Sequence, residues 1–219
     1  MKKVQALGAV LVCICLIATM FAGCSKISFE GTWTSTLDLS ESLNAELDMS
    51  KDTDGKYFGE FKEPISLDMI YTFDSDNAYV VSVDEEKFKT DFNAYMEKYI
   101  DYMVEGTYKY AEDQGMTREQ FDELYKQQEG TTVREGMLKE IDADAMVNEI
   151  VSGFVTNEKQ PLLIEDGKFY ETDDQGNKKS YETFTLEGDT LTINGQFDLE
   201  DKPMEDEYGI YPLVLTKQA

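Results

Sequence analysis

The side chains able to do chemistry are few in kind: three cysteines, 45 carboxylates and no histidine. Without imidazole, Ser-His-Asp and Cys-His catalysis is excluded, as are the His-bearing zinc sites. A Ser-Lys arrangement or a carboxylate pair remains open, but neither is marked by a characteristic spacing. A retaining glycosidase would need two carboxyl groups about 5 Å apart in a cleft, and an inverting one a wider pair. The Asp-rich turns invite oxygen-ligand metals such as Ca²⁺, for which the EF-hand loop is the template. With Gly55 at its glycine position the first ligand is Ser50 and the last Phe61, which cannot ligate. With Gly176 there, the ligands are Glu171, Asp173, Gln175 and Glu182, but Glu replaces the first Asp and the flanks read as strands. Hairpin-turn chemistry accounts for both turns. No catalytic residue, metal ligand or cofactor is assigned, and the ligand-binding residues are left open.

The cysteines read differently. Cys13 and Cys15 lie within an apolar run from Val4 to Ala22, preceded by Lys2 and Lys3, and the first acid is Glu30. That order is a secretory signal. The junction Phe21-Ala22-Gly23-Cys24 resembles the bacterial lipobox, with small residues that let a peptidase reach the backbone before an acylated cysteine. The resemblance implies a signal peptide over 1–23, lipid attachment at Cys24 and a tether over 24–28. The chain is then held on the extracytoplasmic face of a cell membrane. An uncleaved anchor is the alternative, since about 20 apolar residues span a bilayer; so is a signal cut elsewhere. Both leave Gly-Cys and the polar tether as coincidences.

Composition narrows the partners. From Cys24 onward there are 18 basic residues against 45 acidic ones, a net charge of −27. Such a polyanion does not hold nucleic acid through phosphates, and anionic headgroups repel it. Membrane contact therefore falls to the lipid. Cys24 is also the one cysteine left, so stability rests on the core rather than on disulfides.

Three stretches must build that core. From about Phe29 to Val83 the chain reads as strands, including Gly31–Leu39, Lys56–Phe61 and a hairpin around Asp74–Asn77. From about 84 to 153 it reads as helices. Phe88, Phe92, Tyr95, Met96, Tyr99, Ile100 and Met103 recur at three- and four-residue steps, with a break near Gly106 before Gly115. Tyr102, Met137 and Met146 add to a tyrosine- and methionine-rich surface, which reads first as a face packed on the strands and second as an adaptable lid. Thr117 and Gln120 form a capping-box pair, and a further helix enters at Thr131 or Thr132 and continues through Ile150. Strands return in hairpins around Glu165–Gly167 and Glu187–Asp189, and Tyr208–Thr216 closes the chain, with Pro212 marking an edge or a bend. About nine short strands predict an α+β fold: an antiparallel β-barrel interrupted by a helical insertion at about 84–153.

At Gly31-Thr32-Trp33 the chain resembles the Gly-x-Trp opening of lipocalin-like barrels. The tail is similar to lipoproteins of that type, in Tyr181-Glu182-Thr183-Phe184-Thr185-Leu186-Glu187-Gly188-Asp189-Thr190-Leu191-Thr192-Ile193 and the closing Tyr211-Pro212-Leu213-Val214-Leu215-Thr216-Lys217. The resemblance implies one lipocalin-like domain over 29–219, with Trp33 at the barrel floor and Lys217 in the place of the basic residue that stacks on it. It implies a non-enzymatic binding lipoprotein whose partner is a small apolar or amphipathic ligand, or an envelope protein. Two other readings stand beside it: an envelope assembly lipoprotein acting through the helices, and a carboxylate-dependent glycan hydrolase.

Overall fold

The computed structural model describes residues 28–51, 54–156, 158–173, 175–206 and 209–219. The signal segment, Cys24 and most of the tether lie outside these residues. The described chain orders as β1 (Gly31–Asp38), α1 (Ser40–Leu47), β2 (Ser66–Phe73), β3 (Tyr79–Val83), α2 (Glu85–Asp113), α3 (Arg118–Glu129), α4 (Val133–Glu140) and α5 (Ala143–Phe154). Then follow β4 (Leu163–Glu165), β5 (Lys168–Thr172), β6 (Lys178–Glu187), β7 (Thr190–Asp198) and β8 (Leu213–Lys217). The fold is α+β. It divides into two compact units, one of residues up to 37 with 67–84 and 150–219, the other of residues 38–66 and 85–149.

The first unit is an eight-stranded antiparallel sheet in the order β3-β2-β1-β8-β7-β6-β5-β4, curled into a half-barrel. The edge strand β3 makes one bridge to the segment ahead of β4, Tyr79 with Gln160, whose two backbone hydrogen bonds measure 2.9 and 2.7 Å. Thr156 N also donates to Val81 O at 3.0 Å. Turn chemistry sets the hairpins. Asn77 and Asp166 adopt positive φ, and Asp74 Oδ1 accepts from the backbone N–H groups of Asp76 and Ala78. Asn77 does a second job, its Oδ1 accepting from Phe29 N at 2.8 Å in the buried interior. There Phe29 lies with its ring centroid 5.3 to 6.5 Å from those of Trp33, Phe73, Phe169 and Phe184. These five aromatics, with Leu191, Ile193 and Leu215, are at most 2% exposed and fill one end of the sheet's inner face.

The second unit corrects three expectations. Lys56–Phe61 is not a strand. Its continuation is held by side chains: Asn44 bonds both Glu63 O and Glu63 N, and Ser40 Oγ both Ile65 N and Ile65 O. Those residues belong to α1, a helix without a buried face, so apolar periodicity could not reveal it. Next, α2 runs unbroken through Gly106, because the glycine there makes room for a ring. A Cβ on Gly106 would lie 2.0 Å from Phe58 Cε1. Finally, the segment expected as one helix from Thr132 to Ile150 is two, α4 and α5, with Asp142 Oδ1 accepting from Ala145 N between them. The capping boxes at Thr117–Gln120 and Thr132–Glu135 both form. The tyrosine face of α2 is covered within its own unit: Phe61 contacts the rings of Tyr95, Tyr99 and Tyr102, and Phe58 that of Tyr102.

Candidate functional site

Trp33 sits on β1, 2% exposed, its Nε1 donating to Phe29 O at 2.7 Å. Lys217, its register partner on β8, places Nζ 5.4 Å from the indole centroid, within cation–π range. Gly31 is needed for this. Its φ is +125°, and a Cβ there would stand 3.0 Å from Lys217 Cε, on the route the lysine stem takes to the ring. The arrangement buries the indole with its N–H satisfied and a lysine ammonium over its ring.

Next to these aromatics the inner face carries polar side chains. Cross-strand pairing aligns Phe169 (β5), Glu182 (β6) and Gln196 (β7), and sets Glu171 beside Ser180. Paired residues share a face, so Glu182 points to the same side as the buried Phe169 and Phe184. It is 1% exposed. Ser180 Oγ donates to Glu171 Oε2 at 2.8 Å, and Gln196 Nε2 donates to Ser180 Oγ at 3.1 Å. Tyr211, just ahead of β8, donates its phenol proton to Glu182 Oε1. Its backbone is fastened by Asp206, whose carboxylate accepts from Ile210 N at 2.8 Å and Tyr211 N at 2.9 Å. Tyr71 and Tyr79 stand in the same interior, at most 1% exposed, with ring centroids 6.3 Å apart.

One atom breaks the accounting. Glu182 Oε2 is the one buried side-chain polar atom among the described residues that has no hydrogen-bond partner. Native interiors satisfy nearly all such atoms, so an orphan needs a cause. Burial pushes the Glu182 carboxyl well above the usual carboxylate range, against the lowering effect of the Tyr211 hydrogen bond. Burial also pushes up the phenol of Tyr211, with the charges of Glu182, Asp206 and Tyr71 adding to it, and burial alone raises that of Tyr71. Burial thus favours the uncharged form of the carboxyl, beside phenols whose neutral form it also favours. Such groups can donate and accept hydrogen bonds.

Glu171 and Glu182 entered the sequence reading as strand residues and as positions of a calcium loop, and the structure gives the turn between them a different role. Asp173 spends its carboxylate on Gln175 N, Asn177 N and Asn177 Nδ2, all within 2.9 Å. Among the described residues no cluster of three or more His, Cys, Asp or Glu side chains is placed to hold a metal ion. An open depression of about 520 Å³ at the α2–α3 elbow is lined by Glu112, Met116 and Arg118, but Arg118 is already engaged by Glu105 and Glu112. Among the described residues no helix is long and apolar enough to cross a membrane. No protein-family model, no curated protein sequence and no solved structure matches the chain.

Proposed function

We propose that this chain is a lipid-anchored, extracytoplasmic binding protein of lipocalin-like type, which seats a small apolar or amphipathic ligand at the polar side chains of its inner face. The carrying observation is Glu182 Oε2, buried without a partner beside Tyr211. The apolar end is occupied by the chain's own aromatics, so the seat falls at Glu182 rather than at Trp33. Anchoring rests on the Phe21–Cys24 junction and on a net charge of −27 that gives the body no attraction to anionic lipid.

Mass spectrometry of protein purified from membranes tests both halves. Under denaturing conditions the expected species is residues 24–219 with acyl chains on Cys24, and a Cys24→Ala variant loses the acyl mass and leaves the membrane fraction. Under native conditions the same protein is expected to carry an additional small molecule. An unacylated chain retaining residues 1–23 contradicts the anchor, and a bare native mass contradicts the seat.

A second reading has an observation of its own. Tyr110, Leu124 and Leu138 in the helical unit are 38 to 49% exposed, and α3 buries no residue. These side chains support contact with another envelope protein. Loss of a crosslinked partner on replacing Leu124 and Leu138 with serine would favour that reading.

A further inference from the structure

We propose that the seat beside Glu182 takes a small amphipathic amine, whose ammonium group donates a hydrogen bond to Oε2. This rests on the reading of the Glu182 end as a ligand seat and names the chemistry it selects.

Once the carboxyl gives up its proton, the orphan atom is an acceptor site without a donor. The interior supplies no cation: no lysine or arginine is among the buried residues described, and Glu182 is the one ionisable acid there. Phe169 and Gln196 flank Glu182 across β5 and β7, and Tyr211 holds Oε1 from the segment ahead of β8. Tyr71 of β2 lies close enough to Tyr211 to affect its ionisation, as does Asp206. Further along the inner face, Glu171 does the same to Tyr79. These titratable groups are carboxyls and phenols, and Lys179 lies 3.8 Å from Glu171. Tyrosine ring faces attract an ammonium group, and a carboxylate pairs with it. Tyr211 is partly exposed while Glu182 is sealed, so Tyr211 stands on the solvent side of the seat.

Binding has a proton balance. The free seat holds Glu182 as the neutral acid. When a protonated amine arrives, the carboxyl gives up its proton to the buffer and the ammonium keeps its own. One proton is released for each amine bound. A neutral alcohol of the same shape releases none.

Isothermal titration of the full chain, first unfolded, dialysed and refolded to empty the seat, tests this, with ethylamine, hexylamine and phenethylamine as probes and phenethyl alcohol as the neutral counterpart, in two buffers of different ionisation enthalpy. The expected result is saturable binding of at least one amine with release of about one proton. Phenethyl alcohol should bind at least about tenfold more weakly than phenethylamine, and Glu182→Gln should weaken the amine by at least about tenfold, with proton release abolished. Tyr211→Phe, which leaves Glu182 in place, should keep the proton release. Equal binding of the alcohol, lost in Glu182→Gln, would overturn the amine while leaving the seat. Amine binding unchanged in Glu182→Gln, or no binding across the amine series, would overturn the proposal.

Discussion

Phe29→Ala is expected to lower the unfolding free energy by about 3–5 kcal/mol, the range for removing a fully buried phenylalanine. The residue precedes β1 yet is 0% exposed, with four aromatic neighbours contributed by β1, β2, β5 and β6. It therefore joins strands at both ends of the chain. Its backbone contacts, N–H to Asn77 and carbonyl from Trp33, survive truncation, so the loss reports the ring itself. Neighbouring aromatics are rigid and fill the cavity poorly, which places the cost toward the upper part of that range. Trp33 is the single tryptophan, so denaturant unfolding followed by its fluorescence measures the change at the packed end directly. A loss below about 1 kcal/mol would show that the ring does not organise this core.

The second large effect is a pH dependence set by Glu182. Its carboxyl lies well above the ordinary range in the folded chain because it is buried, and returns to an ordinary value on unfolding. The folded state then binds the extra proton. Its contribution is fully present below the unfolded value and is lost as pH rises through the folded one. The slope approaches about 1.4 kcal/mol per pH unit across that interval. Stability should therefore increase on acidification from pH 8 toward pH 5. Below that, surface carboxylates act in the opposite sense. Glu135, for one, is held down to about 2 by the Thr132 backbone N–H and by the hydroxyls of Thr131 and Thr132, and such groups lose their stabilisation as pH falls further. Relief of the net charge of −25 also favours acid, but Glu182→Gln leaves that background nearly intact. The variant should flatten the slope by up to one proton while keeping an acceptor for Tyr211. Urea titrations between pH 5 and 8 read the difference, and parallel slopes would mean that Glu182 is ionised in the folded chain.

The hairpins were legible because their turns carry the chemistry of positive φ: Asn77, Asp166, Gly167 and Gly188 all adopt it. The long amphipathic helix was legible from its apolar period. What escaped were features whose cause lies across the chain. The alternation in Lys56–Phe61 serves packing on α2, and the hydrogen bonds of the segment that follows end on Ser40 and Asn44 rather than on a strand. Gly106 reads as a helix break until Phe58 is seen to occupy its place.

Glu182 escaped for a related reason. Along β6 the residues Ser180, Glu182 and Phe184 face inward, but outward-facing Tyr181 is buried too, stacked on Phe197 with Lys168 Nζ 3.6 Å from its ring centroid. A strand buried on both faces shows no clean alternation, so an inward glutamate reads like a solvated one. The polar seat was thus absent from the sequence reading, while Trp33 with Lys217 was visible as a motif.

The proposed binding role turns on the state of one carboxyl, and that is directly observable. Carbon-13 NMR of the glutamate carboxyls, compared between protein purified without denaturation and the same protein unfolded, dialysed and refolded, reads Glu182 with Glu182→Gln as the assignment. The account predicts that the refolded chain shows this one carboxyl still protonated near neutral pH, and that its resonance alone shifts in the undenatured protein, where the seat is filled. A Glu182 resonance identical in both samples and titrating with the exposed glutamates would contradict it.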